Sequence, residues 1–335
     1  MLAMILNEPE PIKNNPLKLV DIETPKPGPY EILVRVQVCG ICHTDLHTVE
    51  GELGLPKKPV IPGHQVVGVV EKLGQGASRF KEGDRVGMAW LYFTCGKCSY
   101  CLQGKENLCE NALFTGYHVD GGYAQYTVIH ENFAYPVPDR FSAEESAPLL
   151  CAGIIGYRAL RLSEVKPGQR LGLYGFGASA HVAIQVAVHW GCKVYVFSRS
   201  KKHQKLGEDL GAVWTGKSSQ TPPEKLDSAI IFAPAGEIVL DALKALNKGG
   251  TLALAGIYMT PIPQMDYTEH LYYERTVRSV TASTRKDGEE LLRIAAEIPI
   301  RTQTTSFPLE EANKALQLLK HGQINGAGVL RIPPA

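Results

Sequence analysis

Between Leu171 and Phe197 the chain carries two apolar runs separated by a glycine turn and a mostly apolar helical stretch. Leu171 to Tyr174 is the first run and Val194 to Phe197 the second. Gly175-Phe176-Gly177-Ala178-Ser179-Ala180 forms the turn, and Gly191 stops the helix that carries Val182, Ile184, Val186 and Val188. A strand–helix–strand unit of this kind implies parallel strands joined by a right-handed crossover, which makes the fold class α/β. Ser228 to Phe232, Thr251 to Ala255 and Thr276 to Val280 read as further strands of the same sheet. The first glycine permits a tight turn, and the second lets the backbone approach a pyrophosphate at a helix N-terminus. The third position is Ala180, which is also small. Gly175, Phe176, Gly177, Ala178 and Ser179 are therefore candidate dinucleotide-binding residues. The alternative is a plain tight turn in an α/β domain.

The first half of the chain has a different texture. Pro25 to Pro29 is a turn, Ile32, Val34, Val36 and Val38 alternate as in a half-buried strand, and Val66 to Val70 is a second strand. Near the other end, Leu309, Ala312, Leu316 and Leu319 fall on one helical stripe stopped near Gly322. At roughly 150 residues per domain, 335 residues suggest two domains. Thirty-five basic and 34 acidic residues give a formal charge of +1, against the basic excess of a dedicated nucleic-acid binder. No apolar run approaches the ~18 residues of a membrane span, and Met1 to Glu8 lacks the basic start of a signal peptide. Neither a nucleic-acid nor a membrane partner is expected, and a cytoplasmic location is.

A reducing compartment changes the meaning of the eight cysteines, which then favour metal over disulfides. Cys95-x2-Cys98-x2-Cys101-x7-Cys109 places four thiolates close enough to surround one tetrahedral zinc, with Gly96 and Gly104 allowing the turns. Four thiolates leave no position for substrate, so this site is structural; an iron–sulfur cluster is the rival occupant. A second group is dispersed: Cys39 and Cys42, His43, Thr44, Asp45 and His47, then His64, then Cys151. Spacing does not show that Cys42, His64 and Cys151 meet. The Cys39–Cys42 pair could equally be an incidental strand end or a redox motif. If the three do meet, a fourth zinc position stays open, as in catalytic sites.

Cys-Gly-Ile-Cys-His-Thr-Asp-Leu-His, Gly-His-Gln, the four-cysteine lobe, Pro-Leu-Leu-Cys-Ala-Gly around Cys151 and the glycine turn occur in one order. In that order the chain resembles the zinc-dependent medium-chain alcohol dehydrogenases over nearly its whole length. The resemblance implies a β-rich GroES-like catalytic domain at 1–153 and 281–335, with a zinc lobe at 92–112. It implies a doubly wound parallel-sheet Rossmann coenzyme domain at 154–280. Cys42, His64 and Cys151 resemble the catalytic zinc ligands, and Cys95, Cys98, Cys101 and Cys109 the structural ones, giving two zinc ions per chain. Thr44 resembles the hydroxyl that takes the alcohol proton, and His47 the end of the relay to solvent. His43 resembles a pyrophosphate contact, and Asp45 the carboxylate orienting His64. The family also implies a homodimer or homotetramer.

The chain departs from the family in three places. Gln65 stands where the family has glutamate, Gly326-Ala327-Gly328 where it has an arginine near the chain end, and Ile155 where it often has threonine. The second coenzyme strand ends in Ser198-Arg199-Ser200 rather than in the carboxylate that binds the adenosine ribose of NAD. Hydroxyls and a guanidinium suit the 2′-phosphate of NADP(H), with Lys202 or His203 assisting. Trp90, Leu91, Phe114 and Tyr117 flank the metal motifs as a candidate apolar pocket, equally readable as packing around the lobe. The expectation is a zinc-dependent alcohol dehydrogenase or aldehyde reductase acting on primary alcohols or aldehydes with NADP(H). The alternatives are an NAD(H)-dependent alcohol or polyol dehydrogenase and a zinc-binding interaction protein. The Thr44–His47 pair argues against the last.

Overall fold

The computed structural model describes all residues, Met1–Ala335. Contacts divide the chain into two units. The first is Met1–Cys151 with Ala282–Ala296 and Arg301–Ala335, and the second is Ala152–Thr281 with Glu297–Ile300. The sequence reading puts the junctions at 153/154 and 280/281. The short Glu297–Ile300 segment, grouped with the second unit, carries no motif that sets it apart in the sequence. No helix is long and apolar enough to cross a membrane.

The first unit is built on a seven-stranded sheet. Its order is Thr304–Pro308, Ala327–Arg331, Glu31–Ile41, Gln65–Leu73, Arg85–Met88 and Ala134–Pro136, with Tyr126–His130 also pairing Glu31–Ile41. All pairings are antiparallel except the first. The alternation of Ile32, Val34, Val36 and Val38 puts all four in the core, each at most 3% exposed. The strand then continues through Cys39 and Gly40 to Ile41, beyond the alternating pattern, and delivers Cys42 at its end. The stripe near the C-terminus forms the Ala312–Lys320 helix, with Leu309 in the turn before it; Leu309, Ala312 and Leu316 are buried.

The second unit holds a six-stranded, wholly parallel sheet. Its order is Trp214–Gly216, Lys193–Phe197, Arg170–Tyr174, Leu226–Ile231, Leu246–Leu254 and Thr276–Ser279. In chain order this is 3-2-1-4-5-6, the doubly wound Rossmann arrangement. Its direction reverses between Arg170–Tyr174 and Leu226–Ile231, where such sheets bind ligands beyond the strands' carboxyl ends. The Ala178–His189 helix buries Ala180, Val182, Ala183, Ile184, Val186 and Ala187, which explains its nearly unbroken apolar sequence. The edge strand Trp214–Gly216 has no counterpart in the sequence reading, because three residues are too few to show a period.

Leu316 is fully buried. Leu316→Ala is therefore expected to cost about 2 to 5 kcal/mol, read as a lower denaturation midpoint. A midpoint equal to that of the unmodified protein would refute the packing described for this helix.

Candidate active site

The strand that ends at Ile41 turns into the His43–Glu50 helix, and Cys42 caps it. The Cys42 Sγ accepts from the Thr44 N–H at 3.3 Å, while the Cys42 N–H donates to Asp45 Oδ2 at 2.9 Å. This reciprocal capping box satisfies amides that a helix start otherwise leaves open. The other oxygen of Asp45 lies 2.9 Å from His64 Nδ1. That bond leaves Nε2 as the available ligand atom, and Nε2 stands 3.5 Å from Cys42 Sγ. Cys151 Sγ is 3.9 Å from Cys42 Sγ.

These separations match a metal shell. Tetrahedral zinc at about 2.3 Å from sulfur and about 2.1 Å from nitrogen sets S···S near ~3.8 Å and S···N near ~3.6 Å. The electrostatics point the same way. The Cys42 thiol is held well below its usual range, chiefly by a hydrogen bond from Cys151, while Cys151 is pushed well above by that same bond and by burial. The two buried sulfurs thus oppose each other's ionisation, and a divalent cation would let both ionise. Burial opposes a charge on His64, but Asp45 and Cys42 outweigh it and raise its pKa. Burial likewise raises Asp45.

The Trp90 ring meets His64 edge-on at 5.1 Å, stacks on Phe114 at 5.0 Å and lies 5.8 Å from Tyr117. These three aromatics are half-buried and form a wall beside His64. Leu91 belongs to the core instead. Thr44 and His47 are three residues apart on the one helix, hence neighbours on its surface. His43 is exposed at its start. His47 Nδ1 contacts Glu52 Oε2 at 2.5 Å, a partner that sequence reasoning missed; the Gly51 helix stop between them was the available signal.

The four lobe sulfurs also lie within 4.8 Å of one another. That space admits one ion, not a cluster carrying its own sulfides. Backbone N–H groups of Lys97 and Cys98 lower the Cys95 thiol to about 6, and burial raises Cys101 to about 12. The lobe is tied down by Glu106, which accepts from the N–H, Nε and Nη2 of Arg285 at 2.7, 2.9 and 2.6 Å. Arg285 also lies over the Phe133 ring at 4.6 Å. Nothing in the spacing pointed to this pair, whose partners are 179 residues apart.

In the second unit, Gly175 has φ 84°, and a Cβ there would meet the Ala233 backbone nitrogen at 2.9 Å, so glycine is required. A Cβ on Gly177 would meet nothing within 4 Å, so this backbone is open to a ligand. Gly177 caps the Ala178–His189 helix without a side-chain hydrogen bond, leaving the first amides available for a phosphate. Ala178 is exposed and Ser179 half-exposed there, whereas the Phe176 side chain is buried and offers only its backbone. After Phe197, Ser198 Oγ accepts from the Ser200 N–H at 3.2 Å, and Ser200 Oγ accepts from the His203 N–H at 3.4 Å. Both hydroxyl protons remain free to donate. Arg199 is exposed between them.

Residues 28–139 match the alcohol dehydrogenase GroES-like domain family, and residues 180–297 the zinc-binding dehydrogenase family. The chain is 48% identical to a probable alcohol dehydrogenase of Mycobacterium tuberculosis, over 99% of this chain and 97% of that one. The chain belongs to the zinc-binding alcohol dehydrogenases. It is 39% identical to an alcohol dehydrogenase of Geobacillus stearothermophilus, over 95% of this chain and 96% of that one. Among solved structures it resembles a protein described as CAD from Helicobacter pylori, complexed with NADP(H). That likeness has a TM-score of 0.86 at 27% identity and covers 99% of each chain. This alcohol dehydrogenase is thus an oxidoreductase that takes zinc and a nicotinamide coenzyme, with alcohols or aldehydes as substrates.

Two donor sets predict two zinc ions per chain by elemental analysis. Cys42→Ser should remove the ion of the three-donor site and abolish turnover while the lobe ion stays. Cys98→Ser should release the lobe ion and lower thermal stability, since metal affinity there contributes to folding. A single zinc in the intact protein would contradict this assignment.

Proposed function

We propose that this alcohol dehydrogenase interconverts primary alcohols and aldehydes with NADP(H) in preference to NAD(H), using the Cys42–His64–Cys151 site for catalysis and the four-cysteine lobe for structure. The observation that carries the catalytic role is the three-donor shell, held by Asp45 and leaving one coordination position for substrate. Cys42, His64 and Cys151 would hold zinc there, which would supply Lewis acidity toward the substrate oxygen, and a nicotinamide coenzyme would supply the hydride acceptor. Asp45 keeps His64 in the tautomer that presents Nε2. Thr44 accepts the proton of the substrate hydroxyl as its own hydroxyl proton is passed on toward His47, which releases a proton to solvent. His43, Gly175, Phe176, Gly177, Ala178 and Ser179 bind the coenzyme phosphates, the glycine turn through open amides.

The Trp90, Phe114 and Tyr117 wall favours aromatic or medium-chain substrates. Eight free cysteines suit a reducing compartment, the cytoplasm. The Thr276–Ser279 edge strand is exposed, and Ile257, Tyr258, Tyr267 and Tyr272 are exposed in the same part of the chain. An unpaired edge beside apolar surface supports a homodimer or homotetramer.

The relay makes a kinetic prediction. His47→Gln should slow alcohol oxidation most at low pH, where outside base is scarce, and imidazole buffer should restore part of the rate. A pH–rate profile unchanged by the substitution removes His47 from the mechanism.

NADP(H) preference rests on Ser198, Arg199 and Ser200. The sequence from 198 to 207 contains no carboxylate to repel a 2′-phosphate. Opposite unit charges 4 Å apart near a protein surface attract by about 4 kcal/mol at an effective dielectric of ~20. After screening, even about 2.7 kcal/mol is a hundredfold preference. The bound NADP(H) of the Helicobacter pylori neighbour is consistent with this. Aldehyde-dependent oxidation of NADPH should therefore show a higher kcat/KM than that of NADH. Ser198→Asp with Arg199→Gly should collapse or reverse the ratio. Equal use of both coenzymes by the unmodified enzyme would overturn the assignment.

A further inference from the structure

The turn that leads into His64 is zipped to the segment before Tyr126–His130. The Gly121, Gly122 and Tyr123 N–H groups donate to the Ile61, Gly63 and Pro62 carbonyls at 2.7, 2.9 and 3.0 Å, and the Tyr123 carbonyl accepts from the Met4 N–H at 2.8 Å. Gly63, the residue before His64, has φ 98°, and a Cβ there would overlap the Tyr123 ring and lie 2.8 Å from Cys39 Sγ. The ring therefore packs against the backbone that presents His64, and Tyr123 is fully buried.

Packing alone would be served by a phenylalanine, so the hydroxyl is the part that calls for a reason. It is a buried polar group and forms no hydrogen bond in this structure, an arrangement that folded proteins seldom leave without a use. The carboxylate beside it is Asp45. Burial first, and then that carboxylate, push the Tyr123 phenol well above its usual range, and Asp45 acts on it more strongly than Cys39 or Cys42 does. Burial also pushes the Cys39 thiol up and keeps it neutral. Asp45 is itself buried, and each of its oxygens accepts one bond, Oδ1 from His64 Nδ1–H and Oδ2 from the Cys42 N–H. A carboxylate offers about four acceptor positions, and a phenol O–H turns about its C–O bond to suit an acceptor.

We propose that Tyr123 is a positioning residue of the three-donor site, its hydroxyl turning to donate to Asp45 and adding a third donor to the carboxylate that orients His64. The inference rests on the reading of Cys42, His64 and Cys151 as metal ligands. With two donors a buried carboxylate keeps most of its charge concentrated; a third spreads it, and Asp45 then pulls less strongly on the Nδ1–H of His64. Asp45 is also held from a further direction, which keeps His64 Nε2 in place 3.5 Å from Cys42 Sγ. No covalent bond changes and no proton changes owner. The hydroxyl acts on the metal donors only through Asp45.

The test compares the zinc-loaded full chain with Tyr123→Phe, which keeps a ring against Gly63 and removes only the hydroxyl. The His64 Nδ1–H proton resonance, assigned by ring ¹⁵N labelling and by its proximity to the Trp90 ring, should move downfield in Tyr123→Phe, because a carboxylate with two donors accepts more strongly than one with three. Zinc should leave the three-donor site for EDTA about tenfold faster, the lower end of the loss that follows removal of an outer hydrogen-bonding partner of a metal ligand. The lobe zinc, read separately in Cys42→Ser with and without Tyr123→Phe, should leave at one unchanged rate.

An unmoved His64 resonance, or zinc released from the three-donor site at the original rate, overturns the proposal. Faster release from both sites also overturns it, since the hydroxyl would then serve the fold at large. If the unmodified chain binds no zinc at the three-donor site, the ligand reading fails, and the His64 resonance of the metal-free chain alone decides whether Tyr123 donates to Asp45.

Discussion

Asp45 is one carboxylate with two obligations. It closes the capping box on Cys42 and holds Nδ1 of His64, so a single group fixes two of the three donors relative to each other. It is 3% exposed, and His64 is fully buried. An unpaired charge at that depth costs several kcal/mol, so the arrangement persists only with every partner in place. The helix start, the strand end before it and the turn carrying His64 are tied together by those partners. Metal affinity adds to the same network, because donors already gathered lose less freedom on binding.

The sequence revealed this network unevenly. The parallel sheet was readable because apolar runs, a glycine turn and a helix follow one another within 27 residues, Leu171 to Phe197. The lobe was readable because its four thiols are near neighbours in the chain. Cys42, His64 and Cys151 were not, since no local period links positions 22 and 109 residues apart. Resemblance to a family supplied that grouping. Glu106 and Arg285 were invisible for the same reason, and so was Glu52. A carboxylate two residues after the last helical position reads as a loop residue until the direction of the turn is known.

The same helix divides its labour by position. Its first turn carries Cys42 as the cap and Thr44 beside it, and its last turn carries His47. A rigid eight-residue helix thus sets the spacing between Cys42 and His47. Loop-borne groups would reach the same places only at a cost in ordering. The capping box stiffens one end and the crossed Gly51 and Glu52 backbone hydrogen bonds the other, so the helix is held at both ends.

Gln65 shows how this site tolerates a departure. It pairs in register with Gly40, and Gly328 pairs with the adjacent Ile41. The family's glutamate and arginine are therefore expected on strands flanking the same end of Glu31–Ile41, beside the donors. Losing one member of a buried ion pair strands the other at about 3 to 5 kcal/mol, whereas replacing both is often neutral. Here an amide and a glycine stand in place of both. The residual cost is visible in the buried Gln65 Nε2, which has no hydrogen-bond partner; an unpaired buried donor costs about 1 to 3 kcal/mol. A neutral amide is a poor metal ligand beside two thiolates and an imidazole. Charge near the donors then comes from Asp45 and the two sulfurs, and the Trp90, Phe114 and Tyr117 wall stands beside His64.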